Sequence, residues 1–169
     1  MKKIFLCFLC LLLVLGMCVG GCACGKRSSA LAVLTAIKDS EIGLPAGRVY
    51  LSGAAVGEAE YASDNLISSL YGGGSMPPER DGWLEFAIFL SSGQTPCELA
   101  VFLCASPTWA YDTAKMLCRR LDTLKHALKD SPYADRVNAA EVIISGNFCL
   151  MLLSSDVSAA KKIALSEIG

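Results

Sequence analysis

The strongest constraint on the fold lies between Trp83 and Leu103. Leu84, Phe86, Ile88 and Leu90 alternate with Glu85, Ala87, Phe89 and Ser91, and after turn residues at Gly93 to Pro96 the alternation resumes. There Leu99, Val101 and Leu103 alternate with Glu98, Ala100 and Phe102. A period of two over this length specifies strands, and a short turn between them specifies an antiparallel hairpin. Ser106-Pro107 then supplies an N-cap and a first-turn proline. Ala110, Ala114, Leu117, Leu121, Leu124 and Leu128 follow at helical spacing and form one apolar stripe.

The same order recurs. Glu141 to Ser145 and Phe148 to Leu153 read as a second hairpin turning at Gly146-Asn147, and a last helix starts near Ser155-Asp156 and runs to Ile168. Two ββα units therefore predict an α+β fold: an antiparallel sheet of about four strands with helices packed on it. Their loose alignment suggests a geometric pseudo-repeat. Upstream, Ala30 to Lys38 reads as a helix and Arg48 to Ser52 as a brief strand. Ser63 or Asp64 can cap a helix carrying Leu66, Ile67, Leu70 and Tyr71, which Gly72-Gly73-Gly74 and Pro77-Pro78 end in a loop.

The parity of these strands predicts that the leucine stripe Leu117, Leu121 and Leu124 faces Leu99, Val101 and Leu150. It leaves Phe89, Phe102, Ile143 and Met151 on the other face, where a half-solvated sheet should be polar. Either residues 30 to 71 fold over those four side chains, or they form the contact face of an envelope protein partner or a homodimer.

The N-terminus has a different logic. Lys2 and Lys3 precede the uncharged apolar run Ile4 to Val19, and Gly20 and Gly21 lead to Cys22, the order of an export signal. Val19-Gly20-Gly21-Cys22 resembles the lipobox of bacterial lipoproteins, in which the cysteine is diacylated before cleavage. That resemblance implies a signal peptide over residues 1–21, a lipidated tether over 22–29 and one extracytoplasmic domain over 30–169. It further implies a diacylglyceryl anchor on Cys22 at the outer face of the bacterial cytoplasmic membrane. Two acyl chains hold a protein stably where one does not. The alternative is an uncleaved anchor, because an apolar run approaching ~20 residues can span a bilayer.

Composition closes off several functions. A mean hydropathy of +0.47 excludes a disordered chain, and a net charge of -1 excludes a strongly basic nucleic-acid binder. Of the nine cysteines, Cys7, Cys10 and Cys18 would leave with the signal and Cys22 would carry lipid. Cys97 and Cys104 lie too far apart on one strand to pair. Cys104 and Cys149, on a shared face, are the best-placed disulfide partners, and free buried thiols are the other reading. With a single histidine and no Cys-x-x-Cys in the mature chain, neither a metal site nor a cofactor is expected.

His126 falls opposite the leucine stripe, in line with Asp112, Lys115, Arg119 and Asp122, so it faces solvent. Asp122 could orient it in a hydrolase, but no Gly-x-Ser-x-Gly elbow is present. Arg119, Arg120, Lys125 and Lys129 form a candidate anion patch, although cations late in a helix also suit its dipole. Gly72-Gly73-Gly74-Ser75 lacks the lysine and helix start of a phosphate loop. Glu58, Glu60 and Asp64 lack calcium-loop spacing.

The segment Glu98-Leu99-Ala100-Val101-Phe102, the helix containing Arg119-Arg120-Leu121, and the hairpin Val142 to Leu153 ending in Ser154-Ser155-Asp156 resemble one family. It is domain of unknown function family 4358, lipoproteins of Gram-positive, often spore-forming bacteria. The resemblance covers about residues 40–165 and implies an α+β extracytoplasmic domain, with no active-site residues to transfer. The sequence thus favours a non-catalytic binding or scaffolding protein of the envelope, with an envelope hydrolase of unrecognised site as the alternative.

Overall fold

The computed structural model describes residues 28–73 and 78–169. The signal, the tether up to Arg27 and the loop at 74–77 lie outside these residues. The element order is α1 (Ala30–Lys38), β1 (Gly47–Leu51), α2 (Asp64–Tyr71), β2 (Trp83–Ser91), β3 (Glu98–Cys104), α3 (Pro107–Leu128), α4 (Ala134–Asn138), β4 (Glu141–Ser145), β5 (Phe148–Leu153) and α5 (Val157–Ile168).

Local signals set the helix starts. Ser29, Ser63, Ser106 and Asp156 each accept a backbone N–H of the first turn. Proline sits in the first turn of α3, where its missing N–H costs nothing. The β4–β5 turn places Gly146 at φ +57°, the left-handed conformation that a two-residue hairpin demands.

The strands form one antiparallel sheet of five, in the order β1-β2-β3-β5-β4. The fifth strand is the upstream Gly47–Leu51, which pairs with β2 and extends the expected four. Helices cover both faces. On one, α2, α3 and α4 pack on Phe86, Ile88, Ala100, Phe102, Cys104, Cys149 and Met151. On the other, α1 and α5 pack on Ala87, Phe89, Leu99, Val101, Leu150 and Leu152. The centre is therefore buried on both sides, and all six residues of β5 are buried.

The expected division of faces is corrected by the strand register. Residues directly opposite in an antiparallel pair share a face, and the pairs are Phe89 with Leu99 and Phe86 with Phe102. Phe89 thus belongs with Leu99 and Ile143, whereas Phe102 belongs with Met151. The supposed contact face does not exist: Phe89, Phe102 and Met151 are buried and Ile143 is partly buried. Residues 30–71 supply part of the cover on each side, with α1 over Phe89 and Tyr71 of α2 edge-on to Phe102.

The leucine stripe of α3 faces Phe102 and Met151, not Leu99, Val101 and Leu150. A break of register between Trp83 and Glu85 also turns Leu84 out of the face it would share with Phe86. The pseudo-repeat fails on geometry. The two-fold axis exchanging β2-β3 with β4-β5 runs normal to the sheet and would leave both following helices on one face. Instead, α3 and α5 lie on opposite faces.

Candidate functional site

The bulge shapes a cleft at one edge of the sheet. With the register broken, Trp83 and Phe86 both turn inward, their rings 4.7 and 5.8 Å from that of Phe102, and Leu84 is left 56% exposed. The segment after β1 is tied down beside it: Leu51 N–H donates to the Glu60 carbonyl at 2.9 Å, and Phe86 N–H to the Ser52 hydroxyl at 3.1 Å. The start of α1 closes a third side, because the Glu85 carboxylate accepts the Ala30 N–H at 3.0 Å. The result is a cleft of about 730 Å³ with Leu31, Leu84, Trp83, Arg80, Glu58 and Glu60 on its walls.

The charges of this cleft are mostly committed. Glu58 accepts the Ala55 N–H at 2.8 Å and Glu85 caps α1. Arg80 donates Nη1 to Asp64 at 2.6 Å, but its Nη2 is buried without a hydrogen-bond partner. That nitrogen is enclosed by the protein, so it is the exposed part of the Arg80 side chain that lines the cleft. The cleft can therefore hold a ligand with an apolar part against Leu31 and Leu84 and a carbonyl, carboxylate or similar oxygen at Arg80.

A second polar constellation is internal. Glu98, at the start of β3, is buried on the α3 side of the sheet. Arg120 donates to it through Nη2 at 2.8 Å and Nε at 3.1 Å, and the Tyr71 hydroxyl donates at 3.0 Å. Burial, and then the carboxylate beside it, push the Tyr71 phenol well above its ordinary value, so it stays a donor. The network joins α2, β3 and α3. Next to it, Trp83 Nε1 donates to the Thr113 hydroxyl at 3.0 Å, which also contacts the Cys104 thiol at 3.5 Å.

Arg120 thus leaves the anion patch, because its guanidinium is engaged inward. The spacing held the signal: positions 113, 116, 117, 120, 121 and 124 lie on one helical face, so Arg120 sits at the border of the leucine stripe. Arg119 and Lys129 are exposed and Lys125 is partly so. Lys129 approaches Asp130 at 3.9 Å. His126 is exposed on the outer side of α3, as its phase predicts.

Cys97, Cys104, Cys118 and Cys149 are free thiols, so the Cys104–Cys149 bridge is absent. Burial pushes Cys97 up to about 11 and raises Cys104 and Cys149 as well, which leaves these thiols protonated and inert near neutrality. Among the described residues no cluster of His, Cys, Asp or Glu could hold a metal ion, and no helix is long and apolar enough to cross a membrane. Cys22 lies outside the described residues.

Comparison with known proteins finds no matching family model, no similar curated protein and no similar solved structure.

Proposed function

We propose that the chain is a lipid-anchored, non-catalytic binding module of the cell envelope that takes its ligand in the cleft between β1, the β2 bulge and the start of α1. One observation carries the reading: a bulge leaves Leu84 wet beside the exposed Leu31 in a cleft that the partly exposed Arg80 side chain also lines. The exposed leucines cost free energy in the empty protein, and a ligand that covers them and sets an oxygen against the exposed part of Arg80 relieves that cost.

The anchor rests on Val19-Gly20-Gly21-Cys22 and on the family resemblance to Gram-positive lipoproteins. From Cys22 to Ala30 the chain can reach at most about 28 Å, so a lipidated Cys22 holds the cleft near the bilayer. Two measurements test the reading. Cys22→Ala should abolish incorporation of an alkyne-labelled fatty acid, and unchanged labelling would refute the anchor. A photo-crosslinking residue at Leu84 should give a defined adduct in intact cells that one at the exposed Tyr111 does not, and Arg80→Ala should weaken it. Equal adducts from both positions would refute the cleft.

A further inference from the structure

The two edges of the sheet are not alike. Outside β1, Tyr61 forms a parallel bridge to Leu51, and the strand carries Gly47 and Arg48, so this edge is shielded and poorly suited to pairing. The other edge, β4, reads Glu-Val-Ile-Ile-Ser, with no proline, lysine, glycine or bulge to blunt it, and Ile144 is 43% exposed. We infer that β4 is a self-association edge, at which two copies of this chain join their sheets into one antiparallel sheet about a two-fold axis at Ile143.

The register follows from the hairpin. Ser145 and Phe148 close a two-residue turn, so they form a hydrogen-bonded pair, as do Ile143 with Leu150 and Glu141 with Leu152. Val142 and Ile144 then turn their N–H and C=O groups away from β5, toward open solvent. A second β4 laid antiparallel with Ile143 opposite Ile143 brings Val142 against Ile144 of the other copy, twice. Every outward group then finds a partner of opposite kind, as an isologous contact requires. The charges agree, because Glu141 meets Ser145 of the second copy instead of another carboxylate. Glu141 is also neutralised by Lys161 of its own chain at 2.7 Å.

The layers leave room for this contact. The long helix α3 touches β3, β4 and β5, and strand spacing puts β5 and its counterpart about 14 Å apart across the axis, beyond the 8–10 Å of packed helices. The α3 helices of two copies therefore do not collide. A free extended peptide could form the same hydrogen bonds. The self-matching register and the absence of like charges across the axis favour a second copy.

The test uses the full chain purified in detergent, with Cys24 and the exposed Cys118 changed to Ser. Under mild oxidation Ile143→Cys should give a covalent dimer whose cross-linked peptide joins position 143 to position 143, because non-hydrogen-bonded pairs bring Cα atoms to about 4.5 Å. Ile144→Cys should give none, since its two copies lie about 8 Å apart in this register. Ile144→Pro removes an outward N–H and no bond to β5, so it should weaken dimerisation roughly tenfold or more, with the melting curve of the diluted monomer kept. A monomeric mass by light scattering at tens of micromolar, or cross-linking through 144 in place of 143, would overturn the proposal. So would a dimer indifferent to Ile144→Pro.

Discussion

Removing Arg120 should damage the protein more than neutralising its partner, although the two substitutions delete the same ion pair. The asymmetry comes from where the two ends sit. The Glu98 side chain is 4% exposed and the Arg120 side chain 19%. In Arg120→Met the buried carboxylate keeps only the Tyr71 hydroxyl, and an uncompensated buried charge costs about 3–5 kcal/mol. In Glu98→Gln the guanidinium loses its counter-ion but still reaches solvent and can still donate to the amide oxygen, so the cost falls to about 1–3 kcal/mol. Replacing both by apolar residues, Glu98→Leu with Arg120→Met, should recover much of the single Arg120 loss, because no charge remains to be desolvated. The residual deficit should be near 1–3 kcal/mol, from a Tyr71 hydroxyl left without an acceptor. Urea melts of the domain from Ser28 onward measure all three at constant slope. A Glu98→Gln variant as damaged as Arg120→Met, or a double variant no better than Arg120→Met alone, would refute this asymmetry.

Three further outcomes follow from the packing and titration. Phe102→Ala, which empties the space between Tyr71, Trp83 and Phe86, should cost about 3–5 kcal/mol in denaturant, whereas His126→Ala should cost less than about 0.5 kcal/mol. In Gly82→Ala the new methyl would meet the Trp109 ring at 1.9 Å, so the ring must move; the protein should lose about 1–3 kcal/mol and its tryptophan emission should shift to the red. Burial raises the Cys97 thiol in the folded state to about 11, so folding favours its protonated form. The stability this group contributes is complete below the ordinary thiol value and declines as pH rises toward about 11. Melting midpoints from pH 8 to 11 should therefore fall less steeply in Cys97→Ala than in the parent chain.

Elements were more legible in the sequence than their arrangement, and the reason is local range. The helix caps at Ser106 and Asp156, and the two-residue turn at Gly146-Asn147, act over a few residues and could be seen directly. Which face of the sheet a strand residue joins depends on register across a turn. Between Ser91 and Glu98 six residues intervene, and nothing in their composition decides parity. One wrong step there paired Phe89 with Phe102 and sent the leucine stripe to the wrong layer. The bulge at Leu84 was invisible for the same reason, since an unbroken alternation of apolar residues gives no sign of a slipped pair. Half of the polar interior was readable: Arg120 lies at the edge of the apolar stripe and Glu98 on a strand face otherwise apolar. Their meeting required α3 to be on that face. The cleft left no sequence signature, because its walls come from α1, from the segment after β1, and from a bulge.

The sheet order carries a consequence in time. β3 and β5 lie side by side at the centre, yet β5 is the last strand to be made, and only α5 follows it. Until Phe148–Leu153 arrives, the β2–β3 hairpin presents a long unpaired edge, α3 lacks the floor beneath its leucines, and α1 lacks α5 beside it. No N-terminal fragment holds a finished core. The central β3–β5 pairing must wait until nearly all of this sequence is available, and until then the exposed edge of β3 needs shelter.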